Sequence, residues 1–328
     1  MVANAGKSFQ GAIILGKGFI LTPEQAQDLI QQDPRNQDVL FPYLNGEDLN
    51  SRPDCSASRW VINFHDWSEE RAREYPKVFD IVERKVKPER LKVTHSKNAR
   101  EKWWLFERRR PELLSAINGL DRVLVVALVS RTVMPVMVPT GQVFSHMLGV
   151  FATSTPSDLA LLSSGIHYTW AVARASSLKG DLRYTPSDVY ETLPQPRSSA
   201  AMASTGFKIQ VLRDDIMRSR QMGLTKLYNM FHEPTEASAD IRKLRIQHHE
   251  IDAAVAAAFG WEDLNLNLDF HRTRQGVRFT MSPAVRIEIL DRLLELNHEL
   301  YASTRSGNRD PKLGSRCLEN KAGGDRLF

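Results

Sequence analysis

Arg122-Val-Leu-Val-Val-Ala-Leu-Val-Ser130 is the stretch from which the fold can be read. Its apolar run from Val123 to Val129 is rich in valine and bounded by polar residues. It is far too short to cross a membrane, and it reads as a strand buried on both faces. Outward from it, Val133–Pro139 and Gln142–Phe151 follow at hairpin distance. Upstream, Phe9–Gly18 and Arg59–Phe64 are also strand-like, the first β-branched and glycine-bounded.

Helices are expected between the strands. Thr22 followed by Pro23 and Glu24 reads as an N-cap, a proline at the first helical position and an acidic first turn. Ser68-Glu69-Glu70-Arg71 opens a second helix, with Tyr75, Phe79, Val82 and Val86 on one side and Pro88 as its stop. Residues 157–173 read as a third, with Leu161, Leu162, Ile166 and Trp170 aligned. The chain becomes extended at Leu182–Tyr184 and closes this part with Leu193-Pro194-Gln195-Pro196. A small, polar stretch, RSSAAMAST, then reads as a linker. Beyond it the apolar spacing is helical, around Leu212, Leu244 and Leu293. The expected class is α+β. A mixed, β-containing domain spans 1–197, a linker 198–205, a mainly α-helical domain 206–303 and a disordered tail 304–328.

The 328 residues are 42% hydrophobic and 25% charged, a globular composition. The N-terminal MVANAGKSFQG has no apolar signal region, which points to a cytoplasmic protein with no membrane association. Cys55 and Cys317, both in polar, loop-like stretches, are too few and too far apart for a zinc site or a disulfide framework. The net charge is +5, yet residues 84–110 alone carry eleven bases against three acids. Such a block fits a polyanion surface, or else a solvated helical face.

Several motifs invite catalytic readings and fail them. Gly16-Lys17-Gly18 lacks the third glycine of a cofactor loop. No Pro-Pro exists to build the motif with which an amino-methyltransferase grips a flipped base. Pro53-Asp54 with Glu83-Arg84-Lys85 spells a metal-dependent nuclease signature, but Glu83 and Lys85 sit in a run of helical period. Residues two apart on a helix point away from each other and cannot share a metal. His248-His249-Glu250 lacks a second ligand pair and reads as a solvated face. His65, Asp66 and Ser68 read as a capped strand-to-helix turn.

Two features fit nucleic acid. In the basic block, Trp103 and Trp104 interleave with Arg100, Lys102 and Arg108, although core packing accounts for at least one tryptophan. Candidate phosphate contacts are Arg84, Lys85, Lys87, Arg90, Lys97, Arg100 and Lys102 in the block, with Ser177 and Tyr184 outside it. The second feature is Ser176-Ser-Leu-Lys-Gly-Asp-Leu-Arg-Tyr184. Read as one extended ribbon, it puts Lys179, Asp181 and Arg183 on one face. A cation, an anion and a cation suit the major groove, where Lys or Arg fills guanine acceptors and Asp accepts from cytosine N4. A surface ladder of ion pairs is the alternative.

At these residues the chain resembles the C-terminal part of MmeI-like (type IIL/IIG) restriction–modification proteins, which fuse endonuclease, adenine-N6 methyltransferase and DNA recognition. The resemblance is carried, in order, by KSFQGAIILGKGF, VLFPYLNGEDLN, SRWVINFHDW, VERKVKPER, REKWW, DRVLVVALVS, SSLKGDLRYTPSDVYETLPQP, GLTKLYNMFHEP and LDRLLELNHELY. It implies a target recognition domain up to residue 197, a helical domain after it, and base-reading positions at Lys179, Asp181 and Arg183. It also implies double-stranded DNA as partner and no cofactor or metal on this chain. S-adenosylmethionine, and magnesium for cleavage, belong to a methyltransferase and nuclease part in cis or on a separate chain. Because Met1 stands almost at the family's junction, a split or truncated product is expected, non-catalytic alone. The rival readings are a complete methyltransferase and a non-catalytic scaffold fragment of a phage-defence system.

Overall fold

The structure, a computed structural model, describes residues 4–178, 181–273 and 275–305, without the side chains of 177, 178, 181 and 303–305. The α+β class is as expected, and the chain builds two hydrophobic cores.

The first core lies under a four-stranded sheet in the order Ile20–Leu21, Arg59–Ile62, Leu40–Leu44, Val143–Phe144. Its last pairing is parallel, Tyr43 opposite Val143, and the other two are antiparallel. Phe19, Phe64, Phe79, Trp103, Trp104 and Phe106 fill the space beneath it. Both tryptophans of the basic block are therefore core residues. The helix Pro23–Gln32 starts as expected, with Thr22 and Gln25 forming a reciprocal capping box. The helix expected from Ser68 to Val86 is broken into Glu69–Ala72 and Pro76–Lys85, because Pro76 removes the amide that a continuous helix would need. Ser68 caps the first piece by accepting from the Arg71 amide.

The second core is built around the strand Arg122–Ala127, which sits inside an antiparallel sheet ordered Ser8–Gln10, Leu148–Phe151, Arg122–Ala127, Val136–Pro139. Val123, Leu124, Val125 and Val126 are all buried, as their uninterrupted apolar run requires. Helices Pro156–Ser163 and Gly165–Arg174 cover this sheet. They replace the single helix expected over 157–173, since Ser164 adopts an extended conformation and caps the second by accepting from the His167 amide.

The expected linker is a correction. Residues 200–205 are the first turns of a helix, Ala200–Ser219, capped by Ser199. Ala, Met, Ser and Thr look flexible by composition, but here one face of the stretch, Met202, Thr205 and Gly206, is buried where the helix packs on Pro156–Ser163, while Ala200, Ala201 and Ser204 stay exposed. A side chain on Gly206 would overlap the Pro156 carbonyl oxygen, so the helices approach through a bare backbone. Leu224–Phe231, Ala239–Ala258 and Pro283–Arg305 continue the helical part. Their buried residues Leu227, Ile251 and Leu293 belong to the same core as Val125 and Trp170. One apolar core thus runs across the boundary expected at 197.

A hairpin interrupts this helical part. Leu268–Thr273 pairs antiparallel with Gly276–Met281, placing Phe270 opposite Phe279. Helical spacing alone gave no sign of it. The tail expected to be disordered lies, from residue 306, outside the described residues.

Candidate nucleic-acid interface

The stretch expected as one ribbon is a chain reversal. Ser176–Leu178 and Asp181–Arg183 are separate strands, paired antiparallel with Leu178 opposite Asp181. Alternation along one strand therefore does not join Lys179 to Asp181 and Arg183. Lys179 lies outside the described residues, as do the side chains of Ser177 and Asp181. Asp181–Arg183 is the middle strand of three, with Val129–Ser130 on its other side. Leu182 is buried while Arg183 is exposed, so the strand turns an apolar face inward and Arg183 outward.

Tyr184 anchors this small sheet instead of touching phosphate. It is 1% exposed, its amide donates to the Leu128 carbonyl, and its hydroxyl lies 3.0 Å from His167 Nε2. His167 Nδ1 lies 2.8 Å from the Leu162 carbonyl oxygen, so that nitrogen carries the proton and Nε2 accepts from the tyrosine. Burial pulls the His167 imidazole down to about 4, keeping it neutral. The sequence could not announce this pair, because the residues are joined only through the packing of helix on sheet.

The basic block divides once its side chains are placed. Arg90 is the clearest correction: it is 1% exposed. Its guanidinium donates to the carbonyls of Leu15 at 2.7 Å, Ile14 at 2.8 Å and Leu105 at 3.0 Å. It ties the loop after the first strand to the tryptophan segment and is not available to DNA. Arg100 is committed in a similar way, donating to the Val93 carbonyl at 2.7 Å. Lys87 meets Glu83 at 2.8 Å and lies 4.6 Å over the Trp103 ring. Arg84 pairs with Asp80, and Lys97 with Glu101 at 3.5 Å. Lys85, Lys92 and Lys102 are exposed and have no ion-pair partner among the described residues. The open positive charge is thus smaller than the composition of the block suggests.

The motifs set aside remain aside. Glu83 and Lys85 lie on the helix Pro76–Lys85. His248 is buried against the Tyr228 hydroxyl at 2.8 Å, not on a solvated face, and only His249 of that pair is exposed. Cys55, expected in a polar loop, is buried, and burial pushes its thiol up to about 12. Among the described residues no three His, Cys, Asp or Glu side chains are grouped to hold a metal, and no helix is long and apolar enough to cross a membrane.

A mixed α+β body with a short ribbon that exposes Arg183, and with Lys85, Lys92 and Lys102 exposed in the basic block, has the features of a nucleic-acid recognition domain. The chain belongs to the family of the MmeI target recognition domain, whose family model matches residues 8–197. A segment of 118 residues is 30% identical to DNA methyltransferase A of Bacillus subtilis (strain 168), covering 36% of this chain and 12% of that protein. Among solved structures, the type IIL restriction-modification enzyme MmeI, determined in complex with DNA, matches with a TM-score of 0.64 at 18% identity. That match covers 90% of this chain and 36% of MmeI. The chain therefore spans about a third or less of the length of these relatives. The type IIG restriction endonuclease BpuSI also matches, at 14% identity over 76% of this chain and 30% of BpuSI, with a TM-score of 0.32.

Proposed function

We propose that this chain is the sequence-reading part of a restriction–modification adenine-N6 methyltransferase, holding double-stranded DNA for a methyltransferase core in cis or on a separate chain. Base reading is assigned to the hairpin 176–183, through Lys179, Asp181 and Arg183 in the major groove. Lys85, Lys92 and Lys102, with Arg84 and Lys97 once their surface pairs open, meet phosphates and supply the salt-dependent part of the affinity. S-adenosylmethionine, and magnesium for cleavage, would be bound by the companion part. A cytoplasmic location beside the nucleoid follows from that partner.

The observation that carries this reading is the ribbon itself. Leu182 is buried beneath it, Arg183 is exposed on it, and it belongs to a family defined by target recognition. The test is a charge-preserving exchange. Lys179→Glu with Asp181→Arg leaves the net charge unchanged, so phosphate affinity is expected to stay constant. A base-reading pair will change the preferred base pair at one position, disfavouring the original by about 1–3 kcal/mol for each base interaction removed. Binding selection on randomised duplexes reads this directly. An unchanged site at every position removes the pair from base reading. No DNA binding even at low salt favours the scaffold reading instead.

A further inference from the structure

Beside the ribbon lies a cavity of about 690 Å³, between the helix Gly165–Arg174 and the hairpin Leu268–Met281. That is the size of sites that enclose small organic ligands. Its contents are unusual for a gap between packed elements. Arg278 lines it, only 9% exposed; its guanidinium donates to His232 Nε2 at 2.6 Å and lies 5.8 Å from the Tyr168 ring. Among the described residues no carboxylate pairs with it. Arg286 lines the same cavity, and its buried Nε has no hydrogen-bond partner among the described residues. Arg278 is nearly buried and Arg286 half-buried, and neither guanidinium forms an ion pair among the described residues; charge desolvated in this way is costly unless an anion joins it. The planar fork of arginine fits a phosphate with two parallel hydrogen bonds.

The cavity also holds a carboxylate. Asp252 is 2% exposed and its Oδ1 takes the Gly165 amide at 2.6 Å. Its Oδ2 has no protein donor among the described residues. Tyr168 and Phe279 supply aromatic wall in the same lining. Cations for a phosphate, rings for stacking and an acceptor for an amino group together complement one chemical class. We propose that this cavity binds a nucleotide, its phosphate on Arg278 and Arg286 and its amino-bearing base stacked near Tyr168 within reach of Asp252. Ser176 and Leu182 of the ribbon line the same cavity. The nucleotide therefore has two sources: a free mononucleotide, or one extruded from the duplex held at the ribbon. Only the second source rests on the DNA-reading function proposed above. Enzymes that extrude a base recover the unstacking cost through such stacking and edge contacts.

The experiment uses the full chain in two arms. In the first, adenosine 5′-monophosphate is titrated by calorimetry, with inorganic phosphate and inosine 5′-monophosphate as controls. The free-nucleotide form is expected to bind, with Arg286→Gln weakening it by about tenfold at an unchanged melting temperature. At about pH 8, where the Asp252 carboxyl is ionised, Asp252→Asn is expected to shift preference from the amino-bearing to the keto base, because an amide can donate where a carboxylate only accepts. In the second arm, duplexes carrying 2-aminopurine at successive positions report extrusion as increased fluorescence. One position is expected to brighten on binding, and Arg286→Gln to abolish this while duplex affinity is retained. Success in either arm supports the site. Failure in both overturns it, and so does phosphate binding as tightly as the nucleotide in the first arm with no brightening in the second. If the chain binds the mononucleotide but no duplex, the cavity stands and the DNA-reading function falls.

Discussion

His167 accepts the Tyr184 hydroxyl only while it is neutral, and its burial makes the whole protein sensitive to acid. His248 is held in the same state, pulled down to about 3 by burial and by the nearby Arg213 guanidinium. An unfolded imidazole titrates near 6.5, roughly, so unfolding takes up protons below that pH and stability falls as acid is added toward pH 4. Asp252 opposes this trend. Burial raises its carboxyl to about 7, well above its unfolded value. Its contribution is most favourable on the acid side and is lost as pH rises through about 7. Replacing Asp252 with Asn removes the buried charge at high pH and leaves the neutral form nearly matched at low pH. Thermal melts are expected to show the variant gaining stability over the parent at about pH 8, by a few kcal/mol at most, with little gain at about pH 5. An equal gain at every pH would mean that the carboxyl is not raised.

At the scale of elements, the tightest junction is the crossing of Ala200–Ser219 over the start of Pro156–Ser163. Gly206 permits it, because any Cβ there would overlap the Pro156 carbonyl. Gly206→Ala normally favours a helix by about 1 kcal/mol, yet here overpacking is expected to win and cost about 1–3 kcal/mol net. Urea unfolding decides the sign, and a stabilised variant would refute the close approach. Gly223 makes a comparable approach, against the backbone of Asn50 and Ser51, so the helical part is also seated on the short helix Gly46–Ser51, whose Leu49 belongs to the second core. The basic block divides its charges between structure and surface. Arg90 is built into the structure by hydrogen bonds to the Leu15, Ile14 and Leu105 carbonyls, whereas Lys85, Lys92 and Lys102 have no ion-pair partner among the described residues.

That division sets a prediction for the whole molecule. Changing Lys85, Lys92 and Lys102 together to Ala is expected to leave the melting temperature nearly unchanged. It is also expected to weaken binding to every DNA sequence alike and to flatten the salt dependence by about one unit of slope for each phosphate interaction removed. Affinity measured across a salt series checks both. A sequence-selective weakening would place these lysines at bases, and unchanged affinity would make the block a solvated face only. The continuous core from Val125 to Leu293 adds a constraint on such experiments, since shortening the chain at residue 197 would expose buried apolar surface on both sides of the cut.

The sequence by itself determined the α+β class, the doubly buried strand from Arg122, the capped starts at Thr22 and Ser68, and the family. These are local: a run of valines, a cap three residues from its amide and an ordered set of short motifs all act over a few positions. Only the tertiary structure decided that residues 200–205 are helix, since small residues look like a linker until another helix buries them. Only the fold showed that Arg90 and Tyr184 point inward, because a guanidinium or a phenol reads the same in sequence whether it faces phosphate or a ring of carbonyls. The pairing of Asp181–Arg183 with Val129–Ser130, and the meeting of Asp252 with Gly165, join residues about 50 and 87 positions apart. Such contacts are selected by the packing of whole elements, and that packing energy belongs to no local stretch of the chain.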